Sequence, residues 1–264
     1  MKKAMKKLLI STLFLSLFSF NSFASNRNLT IFTEQNMVTA LTKASRIFSD
    51  KSNVMISINF DSSADLIDAI DLGEPADIFI SAHTNLIDSL KQKGLVDVYN
   101  IGYIAQDHIV LVTSKNNPII DERLKNKTIT FRQSIAILNE VGANLIIDKE
   151  GNSSGFYTSN LLKNFEKSGI NLNNLKLFRK SQEDRSSIFD LIKSSPESYA
   201  LLLRSQVRND SDLIVISATK EENIFYQALV IAGDNMDTAR EFSKFLKSND
   251  MKSLFKNNGF SADY

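Results

Sequence analysis

The chain has no cysteine and no tryptophan among its 264 residues, only three prolines and only two histidines. Without cysteine there is no disulfide framework, no thiolate metal site and no cysteine nucleophile. Two histidines, with no H-E-x-x-H spacing, do not make a zinc site. Neither a Walker loop nor a G-x-G-x-x-G run is present, so the usual cradle for nucleotide phosphates is missing. Neither sign of charge dominates: 31 Lys+Arg stand against 30 Asp+Glu, without the basic excess of a nucleic-acid binder. The Lys-rich stretch 244–256 is interleaved with Phe and Leu at helical spacing and reads as a packed amphipathic helix with a solvated face. Internal repeats, low-complexity tracts and Pro/Gly/Ser linkers are also lacking. With 43% hydrophobic and 23% charged residues, what remains is a globular chain long enough for one large domain or two smaller ones.

The N-terminus is an address. Lys2, Lys3, Lys6 and Lys7 precede an apolar run from Leu8 to Phe20, and Ser22-Phe23-Ala24 supplies the small residues of a cleavage site. The run is short for a membrane span, so residues 1–24 read as a secretory signal peptide cleaved near Ala24 and not as a membrane anchor. No cysteine follows it, which excludes a lipid tether. Cleavage removes four lysines and no acid, so the exported chain is mildly acidic and is expected to be a free periplasmic monomer.

Beyond the signal, apolar periodicity alternates between two and 3.6 residues. Leu29–Phe32 reads as a strand, and Met37, Val38, Leu41, Ala44, Ile47 and Phe48 as the buried face of a helix. Val54, Ile56, Ile58 and Phe60 alternate as a second strand. A helix opened by Asp61-Ser62-Ser63 and stopped at Gly73 follows, then a strand over 76–81 and a helix ending at Gly94. Three successive strand–helix units imply a mostly parallel, doubly wound sheet. Further on the pattern predicts strands at 109–113, 128–131, 199–203 and 224–231. It predicts helix-like segments through Ile146, over 157–167, from Ser186 and from Thr238. The resulting division is a first lobe of 25–111 plus 227–264 and a second lobe of 112–226.

Three stretches carry a family resemblance: Phe60-Asp-Ser-Ser-Ala-Asp-Leu, Gly73-Glu-Pro-Ala-Asp-Ile-Phe-Ile-Ser-Ala82 and the terminal Phe245-Leu with Leu254-Phe-Lys-Asn-Asn-Gly-Phe260. Together they resemble the periplasmic molybdate-binding proteins of bacterial ABC importers, over nearly the whole exported chain and most weakly from Pro118 to Arg208. The resemblance implies the two-lobed α/β periplasmic binding protein fold, each lobe a mostly parallel sheet flanked by helices, with a ligand cleft at the hinge. It implies a non-enzymatic solute-binding protein that takes a molybdate-like or tungstate-like oxyanion, uses no cofactor and delivers its ligand to a membrane permease.

An anion can be held without lysine or arginine where helix N-termini present free N–H groups and hydroxyls add donors. Ser62 and Ser63 sit at such a start, and Asn36 opens the first helix. By the resemblance, Ser63 matches a ligand-binding serine and Asn36 falls where a serine is usual; the alternative is that both only cap their helices. In the second lobe, Ser154 and Gly155 resemble the family's turn before a helix, and Arg185 lies where backbone contacts are made. Leu203 stands where a ligand-binding tyrosine is expected. Glu34, Asp61 and Asp184 crowd this site. They point to solvent, pair with Arg132 or Arg185, or indicate a different ligand, phosphate-like or organic, which Arg132 could clamp bidentately.

One enzyme reading remains. Gly151-Asn152-Ser153-Ser154-Gly155 satisfies G-x-S-x-G, which would make Ser153 the nucleophile of a periplasmic serine hydrolase. That motif needs a histidine after the serine, yet His83 and His108 both precede it. Each reads instead as a loop or rim residue.

Overall fold

The computed structural model describes residues 27–181, 187–207, 210–220 and 223–261. The signal segment with Ala24, and Asp184, Arg185 and Ser186 in the second half, lie outside the described residues.

In chain order the elements begin with β1 (Arg27–Thr33), α1 (Val38–Ser52), β2 (Val54–Phe60), α2 (Ser63–Asp71), β3 (Ile78–Ser81) and α3 (Thr84–Gln92). The strand–helix alternation read from periodicity is thus present. α1 buries Ala40, Leu41, Ala44 and Phe48 and ends at Asn53, whose φ of 53° places it in the left-handed region. α2 is opened by Ser62, whose hydroxyl accepts the Asp65 N–H, and is followed by Gly73 at φ 88°.

There follow β4 (Tyr103–Asp107), β5 (Ile109–Ser114), α4 (Phe131–Glu140), β6 (Asn144–Ile147), α5 (Ser153–Lys167) and β7 (Lys176–Arg179). The remainder is α6 (Ile188–Ser194), β8 (Tyr199–Leu203), α7 (Arg204–Val207), β9 (Leu213–Ala218), β10 (Ile224–Val230), α8 (Met236–Leu246) and α9 (Asn249–Asn257). The strand expected at 128–131 is absent. Thr130 and Gln133 form a reciprocal capping box, and Phe131 starts α4. The helix expected to run through Ile146 stops at Glu140, and Ile146 is in β6. Strands β4, β7 and β9 have no counterpart in the periodicity reading; every residue of β7 is exposed, so no alternation marks it.

The strands form two five-stranded sheets, ordered β2-β1-β3-β10-β4 and β7-β6-β8-β5-β9. In the first, β10 runs against β3 and β4; in the second, β5 runs against β8 and β9. All remaining neighbours are parallel, so each sheet carries one reversed strand. The chain leaves the first sheet at Asp107 and enters the second at Ile109, with only His108 between. It returns between Ala218 and Ile224. Ile224 pairs with Asp107 and Ala218 with Val110, so the two crossing segments run side by side. Ile109–Leu111 therefore belongs to the second sheet and Ile224–Tyr226 to the first, a few residues from the divisions expected at 111/112 and 226/227. Neither crossing carries a Pro/Gly/Ser linker, so the residue at which the chain changes sheet is set by strand pairing and not by composition. The C-terminal helices return to the first sheet: Phe242 and Phe245 pack on Phe48, and Phe260 packs edge-on against Tyr226. Among the described residues no helix is long and apolar enough to cross a membrane.

Candidate functional site

Glu34 follows β1 at its C-terminal edge, in extended backbone before the Gln35–Met37 turn. Its side chain does not point to solvent; the residue is 5% exposed. One carboxylate oxygen, Oε1, accepts from the Ser63 hydroxyl, from Ser153 Oγ at 2.6 Å and from the Ser153 backbone N–H at 3.0 Å. Ser81 Oγ lies 3.5 Å from the same oxygen and 2.7 Å from Ser63 Oγ. A serine carries one hydroxyl proton. With that of Ser63 given to Glu34, Ser81 donates to Ser63, and Ser81 in turn accepts the His83 N–H at 2.9 Å. The result is a directed relay from His83 through two buried hydroxyls to the carboxylate.

The donors come from both lobes. Ser63 is the first residue of α2 and Ser81 the last of β3, on the first sheet; Ser153 is the first residue of α5, on the second. Parallel strands feeding helices leave helix N-termini at the strands' carboxyl ends, so a crevice between two such sheets collects unpaired N–H groups. Gly155 allows the α5 start to fold close: a Cβ there would lie 2.0 Å from the Lys149 carbonyl oxygen. Burial pushes the Glu34 carboxyl above its ordinary range, opposed by the hydrogen bonds from Ser153 and Ser63, while the charge of Asp148 pushes it further up.

Further bonds tie the lobes around this point. Asn36 donates its amide to Ser205 Oγ at 2.9 Å and to the Tyr226 hydroxyl at 2.6 Å, leaving its buried Oδ1 without a partner. Tyr157 donates to the Ala82 carbonyl at 3.0 Å, and the Ala64 N–H to that of Gly151 at 3.2 Å. The buried Lys149 ammonium meets Asp65 at 3.3 Å. His83 stacks on Phe156 with ring centroids 4.1 Å apart. Burial lowers its proton affinity, so the neutral ring donates from Nε2 to the Glu150 carbonyl at 3.1 Å and leaves Nδ1 unpartnered. Beside this cluster, a cavity of about 520 Å³ opens between Gln35, Asn36 and Thr39 on one side and Phe189, Lys193, Ser205 and Gln206 on the other.

Of the residues read from sequence, the structure brings Ser63 to the carboxylate and Asn36 to the lobe boundary. Ser62 points elsewhere: it caps α2 and donates to Asp65 at 2.6 Å. Ser154 is buried but its hydroxyl has no partner, and the neighbouring Ser153 makes the contact instead. Arg132 is not part of the cluster. It is exposed in the first turn of α4, where it donates to Ser168 Oγ at 3.1 Å and lies over the Phe165 ring. It therefore does not pair with Glu34. Asp61 accepts the Ser62 N–H, and Leu203 is fully buried in the core. Sequence reasoning missed Ser81, Tyr226 and the inter-lobe role of His83. Ser81 had a signal, since it ends the buried Ile-Phe-Ile-Ser strand where side chains meet a crevice; Tyr226 lies inside a strand and had none. Ser153 was singled out as a nucleophile, yet its hydroxyl is given to a carboxylate and no histidine is bonded to it among the described residues. The serine-hydrolase reading has no support. No group of three metal-ligating side chains occurs among the described residues.

A family model described as a bacterial extracellular solute-binding protein matches residues 29–261. The molybdate-binding protein ModA of Escherichia coli K12 is 24% identical over 245 residues, covering 91% of each chain. Among solved structures, the tungstate ABC transporter protein of Geobacter sulfurreducens superposes with a TM-score of 0.69 at 16% identity, covering 87% of this chain and 98% of that one. The substrate-binding domain of a molybdenum ABC transporter from Clostridium difficile gives 0.65 at 20% identity, covering 89% and 98%. These likenesses carry the two-lobed binding-protein fold.

Proposed function

The chain belongs to the bacterial extracellular solute-binding protein family, and from that premise we propose that it captures an oxyanion of the molybdate and tungstate type between its lobes and delivers it to an ABC permease. The observation that carries this reading is the convergence of Ser63, Ser81 and the start of α5 on a single anionic oxygen. Such a cradle offers hydroxyl and amide protons and the partial positive end of a helix, with no lysine or arginine. It suits a small polyanion that must be released again, because neutral donors bind charge without the deep trap of a buried cation pair. Placing α2 and β3 on one lobe and α5 on the other makes ligand capture and lobe closure one event. The relatives that bind molybdate and tungstate support the same ligand class.

Binding on this reading is stoichiometric, without chemical turnover or cofactor. The protein is exported by its N-terminal signal, cleaved near Ala24, and acts in the periplasm as a monomer with no stable membrane anchor. A thermal-shift screen of the exported chain against molybdate, tungstate, sulfate, phosphate and small phosphorylated acids tests it. A ligand at a hundred times its Kd stabilises the folded state by about 2.7 kcal/mol, a readily measured rise in Tm. If no oxyanion in the panel raises Tm, the reading fails; if only phosphorylated acids do, the ligand class is organic.

A further inference from the structure

We propose that Glu34 is a resident competitor for the oxyanion cradle: its carboxylate occupies the donors of both lobes, and an oxyanion binds by displacing it. The inference rests on the oxyanion reading above and names what sets the affinity of that site.

Three donors, two hydroxyls and one backbone N–H, meet on Oε1 alone, which exceeds the two lone pairs of a carboxylate oxygen. The hydroxyl protons of Ser63 and Ser153 and the Ser153 N–H are all spent on Glu34, and that of Ser81 on Ser63, so a second anion must take them from the carboxylate. Among the described residues no lysine, arginine or histidine pairs with Glu34; the nearby Lys149 is engaged by Asp65. A dianion placed on the same donors would therefore face an uncompensated like charge in a water-poor site. Glu34 also stitches β1 of the first lobe to the start of α5 on the second, so its carboxylate bridges the lobes through the same donors an oxyanion would use.

The groups around Glu34 determine how the competition responds to acid. Asp148 after β6 adds negative charge; Tyr226 on β10 is held well above its ordinary range by burial and stays neutral; His83 after β3 is kept neutral by burial; Lys149 and Asp65 neutralise one another. Protonation of Glu34 weakens its hold on the serine donors and removes the like charge. Sulfate keeps its double charge throughout the mildly acidic range, so anion affinity rises as pH falls.

The test is calorimetric titration of wild type, Glu34→Gln and Glu34→Ala with sulfate and with micromolar molybdate between about pH 5 and pH 8. Both variants are expected to bind at least about tenfold tighter than wild type near neutral pH, and to lose most of the wild-type pH dependence. Glu34→Gln keeps the volume and hydrogen-bond reach of the side chain, so it reports on charge even if the alanine variant folds poorly. Equal affinities and equal pH slopes in all three proteins would overturn the inference and leave the oxyanion reading standing. Weaker binding in both variants would overturn it too, since Glu34 would then be a ligand contact. Absence of anion binding in every protein at every pH would remove the oxyanion reading and this inference together.

Discussion

Asp107 closes β4 at the point where the chain crosses between the sheets, and it is 1% exposed. Burial pushes its carboxyl from 3.8 up to about 7, against hydrogen bonds from Ser205 and from the His108 backbone N–H at 2.8 Å. A rise of about three pH units is worth about 4 kcal/mol at 1.36 kcal/mol per unit. Because the folded-state pKa is raised, the folded protein binds the proton more tightly than the unfolded chain. The stability this contributes is fully present below about pH 4 and is lost as pH rises through 7. Asp107→Asn cannot titrate. Its Oδ1 still accepts the His108 N–H, while the Ser205 N–H, 3.3 to 3.4 Å from the two carboxylate oxygens, loses part of its acceptor. The variant is therefore expected to be less stable than wild type near pH 4 by about 1 kcal/mol. The gap should close and reverse toward pH 8, the difference moving by up to about 4 kcal/mol. Urea unfolding of both proteins at about pH 4.5, 6 and 8 measures it. The titration of Glu34 is common to the two proteins and cancels in the difference. A difference that stays constant across this range would refute the burial argument for Asp107.

Three other perturbations follow from single contacts. Gly155→Ala places a Cβ 2.0 Å from the Lys149 carbonyl oxygen and 2.6 Å from that of Asp148, both backbone atoms that cannot rotate away; a loss of about 3 kcal/mol or more is expected in urea unfolding. Tyr226→Phe removes the acceptor 2.6 Å from the Asn36 amide and leaves a buried donor proton unmatched, costing about 1 to 3 kcal/mol, again by denaturant unfolding. Thr130→Ala removes one arm of the capping box of α4 and should lower Tm by the equivalent of about 1 kcal/mol; an unchanged Tm would argue that 128–131 is not a helix start.

Local chemistry wrote much of this fold into the sequence. Ser62 before Leu66, Ile67 and Ile70, with Gly73 after them, specifies a helix start, a buried face and a stop within a dozen residues. The same kind of signal was misread at Thr130, where a β-branched run Thr-Ile-Thr resembles a strand. Its role turns on whether Thr130 bonds the Gln133 N–H, as it does. The edge strand β7 was invisible because an exposed strand has no buried face to pattern.

The candidate site was legible in part. Ser63 could be placed at a helix end and Glu34 near the same crevice, since each depends on its own strand–helix junction. What the sequence alone determined, then, is where helices begin and which side chains stand at those beginnings, because capping and periodicity are settled within a turn or two of chain. Only the tertiary structure decided that Ser63 and Ser153, 29 and 119 residues from Glu34, give their protons to the same carboxylate oxygen while Ser62, Ser154 and Arg132 do not. That outcome depends on strand order, on one reversed strand in each sheet and on the closure of two lobes, and no interaction local to the chain encodes those.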